Sequence, residues 1–179
     1  MPAVKRALDT SAALVGLVVL SPVILTVGAV VRLSSPGPVV FRQERIGRGE
    51  APFICYKFRT MQTGTAQRAT HEISESAITP AGRFLRKYKL DELPQLWNVL
   101  RGDMSLVGPR PCLPVQKELL AERRERGVFS VRPGITGLAQ VEGIDMSEPK
   151  RLAERDADYV RMQSTPLDLN LIFRTIFGR

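Results

Sequence analysis

The chain reads as an α+β fold, mostly helical with one small β-hairpin, and three stretches of sequence carry that reading. Residues 12–31 form an uncharged apolar run interrupted by Ser21-Pro22. Two Pro/Gly-bearing turns, at 34–38 and 46–50, bracket short strand-like segments. Thr79-Pro80 has the pattern of a helix cap followed by proline at the first helical position, and helical patterns recur from there to the C-terminus. A length of 179 residues suits one domain, large enough to bury a core without covalent staples.

The run from Ala12 to Val31 has about the length that crosses a hydrocarbon core as a helix. It is longer than the apolar part of a usual signal peptide, and Arg32 with a Pro/Gly turn follows it. Pro22 removes the amide that would bond the Val18 carbonyl, and its ring crowds that carbonyl, so the helix is expected to bend there. The Ser21 hydroxyl can bond back to the Leu17 or Val18 carbonyl and offset part of the loss. Lys5 and Arg6 precede the run, while Arg32, Arg42, Arg45 and Arg48 follow it. The positive-inside tendency therefore draws both ends to the cytoplasm, which a re-entrant, monotopic helix over residues 1–33 satisfies. Hydropathy alone allows a straight bitopic span with a proline kink equally well.

After the Ser34-Ser-Pro-Gly-Pro38 turn, Val39–Gln43 and Phe53–Phe58 are expected to pair as a hairpin, with Lys57 and Arg59 near its exit. The polar stretch 62–78 reads as a mobile loop or lid, and His71 within it as a surface residue. A helix is expected from Thr79 through Lys89, with Phe84, Leu85 and Tyr88 on one side. The next is expected to begin with Asp91 as N-cap, to place Pro94 in its first turn, and to end at Gly102. Its buried stripe would be Leu93, Leu96, Trp97 and Leu100. Residues 118–126, dense in charge, read as a solvated helix face. The C-terminal segment from Thr165 is an amphipathic helix that fits an interface with lipid or a core contact alike.

A net charge of +8 points to an anionic partner, and the apolar segment turns that choice toward a membrane and phosphate chemistry rather than nucleic acid. Two cysteines and one histidine make neither a disulfide framework nor a zinc or iron-sulfur site, so any metal would be oxygen-bound and Mg²⁺-like. Asp91 and Glu92 are adjacent carboxylates, with Arg83, Arg86, Lys87 and Lys89 before them and Arg101 and Arg110 after. Such a setting lets a phosphate group approach without meeting an unscreened carboxylate. Surface ion pairs at a helix start would produce the same spacing.

The segment Leu90-Asp-Glu-Leu-Pro-Gln95, continuing from Asn98 through Gly108-Pro-Arg-Pro111, resembles the bacterial sugar transferases, the monotopic phosphoglycosyl transferases. Lys5-Arg6 with Asp9, Ser21-Pro22, Ser35-Pro-Gly-Pro-Val39, Lys57-Phe-Arg-Thr-Met61 and Arg132-Pro-Gly-Ile-Thr-Gly137 with Gln140 resemble that family's motifs in the same order. The resemblance covers nearly the whole chain, and the length is similar to the minimal catalytic form without an added multi-span region.

That resemblance implies transfer of a sugar 1-phosphate from a UDP-sugar to a polyprenyl phosphate, in bacteria undecaprenyl phosphate, with release of UMP. It implies Mg²⁺ as cofactor and a site on the cytoplasmic face of the inner membrane, serving glycoconjugate or exopolysaccharide synthesis. Residues 34–179 would be the catalytic domain, one unit with the membrane helix. By motif, Asp91 would be the nucleophile of a ping-pong reaction through a phosphosugar-aspartyl intermediate, and a metal ligand, with Glu92 its partner. Glu92 would act as base, as orienting group or as metal support. Arg86, Arg110 and Arg59 would bind phosphate, which suits the planar fork of guanidinium. The chain departs from many relatives at Leu138 and at Glu142-Gly-Ile144, which leaves the sugar open. The oligomeric state is open as well, a dimer included. A basic membrane-binding protein without chemistry, and a phosphohydrolase, are the alternatives.

Overall fold

The computed structural model describes residues 2–64 and 77–178. His71 and most of the 62–78 stretch lie outside the described residues. The described ends of that stretch meet, through a bridge between Met61 and Ile78 and a 3.0 Å bond from the Gln62 amide to the Ala77 carbonyl.

Two helices, α1 (Pro2–Val19) and α2 (Ser21–Ser34), meet at Leu20 with a 63° bend. The Ser21 hydroxyl donates to the Val18 carbonyl at 2.7 Å, inside the gap that Pro22 opens. Among the described residues no single helix is long and apolar enough to cross a membrane, whereas the bent pair passes the same test of length and composition. The polar start of α1 is bonded to the rest of the chain. Arg6 donates to the carbonyls of Val99 and Leu100 at 2.6 and 2.9 Å. Asp9 accepts from Ser105 Oγ at 2.7 Å and from the Leu106 amide at 3.2 Å, and Lys5 pairs with Asp168.

The hairpin joins β1 (Val40–Ile46) to β2 (Pro52–Phe58), in register from Val40 opposite Phe58 to Ile46 opposite Pro52. Its first strand runs three residues beyond the expected Gln43, because Gln43 and Arg45 both turn inward and stay in the ladder. Gly49 at the turn has φ 64°, a conformation that glycine adopts without strain. The helix α3 (Pro80–Lys87) is capped by Thr79, whose hydroxyl accepts from the Gly82 amide at 2.9 Å. It stops at Lys87, not Lys89, because Lys89 is left-handed with φ 55° and redirects the chain. Leu85 alone of its expected apolar side is buried; Phe84 and Tyr88 are exposed and meet ring to ring in a tilted contact.

Asp91 is not an N-cap. It lies inside a 3₁₀ turn, Leu90–Glu92, which leads into α4 (Gln95–Arg101). Pro94 has no amide to give Leu90, so this entry tightens to short bonds such as Glu92 to Lys89 at 3.2 Å and Leu93 to Leu90 at 3.3 Å. The buried side of α4 is Gln95, Leu96, Asn98 and Val99, while Trp97, a member of the expected stripe, is 50% exposed. That face turns toward α1 and the hairpin: Asn98 bonds the Tyr56 amide and the Ile54 carbonyl at 3.0 and 2.7 Å.

A second sheet, not anticipated from the sequence, pairs β3 (Ser105–Val107) with β4 (Gly134–Thr136) in parallel. Around it stand α5 (Lys117–Glu125), the short α6 (Leu138–Val141), α7 (Pro149–Met162) and α8 (Thr165–Phe177). The expected solvated face of α5 is corrected at Arg123, which is 1% exposed and ion-paired with Asp156 of α7 at 2.6 Å. Tyr159 donates to the Val107 carbonyl and to Asp168 at 3.0 and 2.8 Å, tying α7 to β3 and α8. α8 buries Asp168 and Leu171 and leaves Leu169, Phe173, Ile176 and Phe177 exposed, so it presents one apolar face to the core side and another outward.

Candidate active site

The acidic pair is met from three directions. β2 delivers Lys57 at its end, the 109–111 loop delivers Arg110, and α3 delivers Arg86. Lys57 Nζ and Arg110 Nη2 both donate to Oε1 of Glu92, at 2.7 and 2.9 Å. Burial alone would push the Glu92 carboxyl upward, but the charges of Arg110 and Lys57 and their hydrogen bonds outweigh it. The group is held well below the usual carboxylate range. Arg110 is raised in turn, first by the Glu92 charge.

Asp91 is buried, and burial raises its carboxyl above the ordinary 3.8, with Lys57, Arg86 and Arg110 partly opposing and Glu92 adding repulsion. Desolvation thus outweighs the neighbouring cations in setting the direction of the Asp91 shift. Arg86 donates through Nε to Thr60 Oγ1 at 2.9 Å, and burial lowers its pKa.

Arg59 sits elsewhere. Its Nη2 donates to the Ser35 carbonyl and hydroxyl at 2.6 and 2.9 Å and to the Val31 carbonyl at 3.3 Å, closing the end of α2. Its Nε and Nη1 are buried without a hydrogen-bond partner. Thus Asp91, Glu92, Arg86 and Arg110 come together, and Arg59 is committed to the hairpin junction. Lys57 was the functional side chain that the sequence reading placed near the hairpin exit without giving it a role. The signal was its position at the end of a strand leading toward the acidic pair.

A cavity of about 470 Å³ lies beside Arg110, with Arg45 and Lys89 also on its wall and Ala139, Ile144, Met146 and Leu152 as an apolar side. A second, almost wholly apolar one of about 480 Å³ runs between α2 and α3, from Pro22 and Val27 past Phe84 to Leu90, the neighbour of Asp91.

Asp103 accepts from Asn98 Nδ2 at 3.2 Å and closes the loop after α4. Among the described residues no group of three or more His, Cys, Asp or Glu side chains could enclose a metal ion. Mg²⁺ needs less than that, because it is commonly bound through one or two carboxylates together with substrate phosphates and water. A buried, poorly compensated Asp91 fits that requirement, and Glu92, already engaged by two cations, does not add to it.

A family model described as bacterial sugar transferase matches residues 1–178. The chain belongs to the bacterial sugar transferase family. Among relatives in that family, it is 39% identical to the UDP-glucose:undecaprenyl-phosphate glucose-1-phosphate transferase of Caulobacter vibrioides, over 96% of this chain and 68% of that protein. It is 36% identical to the UDP-N-acetylgalactosamine-undecaprenyl-phosphate N-acetylgalactosaminephosphotransferase of Aeromonas hydrophila, over 97% of this chain and 43% of that one. It is 43% identical to the uncharacterized sugar transferase EpsL of Bacillus subtilis, over 96% and 85% respectively. The chain thus spans less than half of one of these transferases and most of another. As a member of the sugar transferase family it stands among transferases.

Proposed function

We propose that this transferase moves a sugar 1-phosphate from a UDP-sugar to a polyprenyl phosphate, releasing UMP, at the cytoplasmic face of the bacterial inner membrane. The observation that carries the reading is the asymmetry of the pair: a buried, desolvated Asp91 beside a Glu92 neutralised by Lys57 and Arg110. A carboxylate short of solvation is a stronger nucleophile than one tied in ion pairs.

In the first half-reaction an Asp91 oxygen bonds the sugar-proximal phosphorus while the bond from that phosphorus to the UMP oxygen breaks, its electron pair leaving with UMP. In the second, an oxygen of the lipid phosphate bonds the same phosphorus and the Asp91 carboxylate departs. Arg110, Lys57 and Arg86 offset the negative charge of the phosphates, whose mutual repulsion would otherwise oppose the transfer. Mg²⁺, held by Asp91 and substrate oxygens, would supply further neutralisation of phosphate charge. Glu92 fits an orienting role for Lys57 and Arg110 better than that of a base, since a carboxyl held this far below neutrality carries protons poorly.

The cavity beside Arg110 suits the nucleotide, with cations for its phosphates and an apolar side for its base. The apolar cavity ending at Leu90 suits the isoprenoid chain, which would enter alongside α2 from the bilayer. The bent α1–α2 pair supports a re-entrant membrane helix, with residues 1–33 in the membrane and residues 34–179 working at its surface.

The test uses the full chain in lipid nanodiscs, a panel of UDP-sugars and a polyprenyl phosphate, with UMP release as readout. The wild type should give continuous UMP release with one or more sugars and a single stoichiometric burst when the lipid is withheld. Asp91→Asn should give neither. Normal turnover by that variant would overturn the nucleophile assignment, and steady phosphate release without lipid would mark a phosphohydrolase instead.

A further inference from the structure

The loop that carries Arg110 is fastened at five consecutive residues. The Pro109 carbonyl accepts from the Gly134 amide at 2.9 Å, and the Cys112 carbonyl from the Ile46 amide at 3.0 Å. The Leu113 amide donates to Gln116 Oε1 at 2.8 Å. Between these, the Arg110 carbonyl accepts from Arg123 Nη1 and the Pro111 carbonyl from Arg45 Nη1, each at 2.8 Å. Prolines on both sides of Arg110 fix two further backbone angles.

The choice of donors at the two central carbonyls is costly. Arg45 and Arg123 are 8% and 1% exposed, and burying a guanidinium group carries a large desolvation penalty. Satisfying a carbonyl needs only a neutral amide. Arg123 spends its other edge on Asp156, with Nε and Nη2 donating to Oδ2 at 3.0 and 2.6 Å. Two donors converging on one oxygen restrain the guanidinium plane, and Nη1 is left pointing at the Arg110 carbonyl. Arg45 is set in the same way by the neutral Gln43, whose Oε1 accepts from Nε and Nη2 at 3.1 and 2.6 Å. Three of these side chains, Arg45, Arg110 and Asp156, line one cavity.

We propose that Arg123, oriented by Asp156, is a positioning residue that aims Arg110 at the donor phosphates, with Arg45 as the second brace of the same loop. The inference rests on the reading of Arg110 as a phosphate ligand. Preorganised charge of this kind lowers the reorganisation needed when substrate arrives, and small displacements of such a group are felt in binding and rate.

The experiment is a double-mutant cycle on the full chain in nanodiscs, reading UMP affinity by calorimetry, KM and kcat for the donor, and melting temperature. Arg123→Lys cannot hold Asp156 at two points and the Arg110 carbonyl at once, so UMP affinity should fall about tenfold, with KM rising more than kcat falls. On an Arg110→Ala background the same change should alter UMP affinity less than about twofold. Asp156→Asn, which keeps a hydrogen bond to Arg123 but not the charge, should behave likewise and carries the cycle if Arg123→Lys does not fold. Equal losses on both backgrounds, or a drop in melting temperature with UMP affinity unchanged, would overturn the proposal. An Arg110→Ala variant with wild-type UMP affinity would instead remove the reading of Arg110 itself.

Discussion

Asp91 and Glu92 are adjacent in one 3₁₀ turn, and their pKa values are driven in opposite directions: burial raises the first, whereas two cations on one oxygen hold the second down. A pair divided in this way has one member spent on holding its surroundings and one left reactive.

Asp91→Asn should cut UMP release by about a thousandfold or more, as loss of a covalent nucleophile does. The same variant should melt at a higher temperature than wild type at pH 7, since it removes a desolvated charge whose ionisation the fold disfavours. Calorimetry of the two proteins checks it, and a lower melting temperature would contradict the raised pKa of Asp91.

Glu92→Gln should do the reverse to stability. It leaves Lys57 and Arg110 without their shared partner, at a cost of about 2 kcal/mol, toward the low side for a broken buried pair because the Arg110 side chain is 35% exposed. Because the folded Glu92 lies below its ordinary 4.5, its contribution is complete above that pH and disappears as pH falls through the lower folded value. The gap between wild type and Glu92→Gln should therefore be widest near neutrality and narrow below pH 4.5. For Asp91, raised above 3.8, the neutral form is favoured, so the gain from Asp91→Asn should also shrink in acid. Melting curves of both variants across pH separate the two carboxylates.

The acid limb of kcat/KM should lie above pH 3.8 and move to higher pH in Lys57→Met, because Lys57 is the foremost of the charges that oppose desolvation at Asp91. An unmoved limb would mean that another group governs it.

For topology, Ala3→Cys and Glu44→Cys should both label from the cytoplasmic side in intact cells with a membrane-impermeant maleimide. Both positions are exposed, while the native Cys55 and Cys112 are buried and should stay silent. Labelling of one end only from the periplasm would establish a straight span.

The elements with strong local signals were legible in the sequence. Thr79-Pro80, Ser21-Pro22 and the hairpin turns act through their own backbone chemistry, and the structure has each within a few residues of its expected place. What failed depended on distant partners. Three-residue strands such as β3 and β4 have too little pattern to be read, and they exist because the 105–107 and 134–136 segments meet. Trp97 and Phe84 follow helical spacing yet face outward, since periodicity marks an apolar side without saying what covers it. Arg123 sat in a charged run and was read as solvated; only the arrival of Asp156 from 33 residues away makes its burial possible. In the site, the motif led to Asp91, Glu92, Arg86 and Arg110, but which carboxylate would be neutralised depended on Lys57 arriving from β2.

Lys5, Arg6 and Asp9 bond α8, the end of α4 and β3, so the first turns of the chain are shared between the bent helix pair and everything after it. A protease that clipped the chain after Ser34 would not free a working remainder. The cut breaks one peptide bond and leaves these contacts in place, so the two pieces stay bonded; only removal of residues 1–34 strips Asp168, the Val99 and Leu100 carbonyls and Ser105 of their partners.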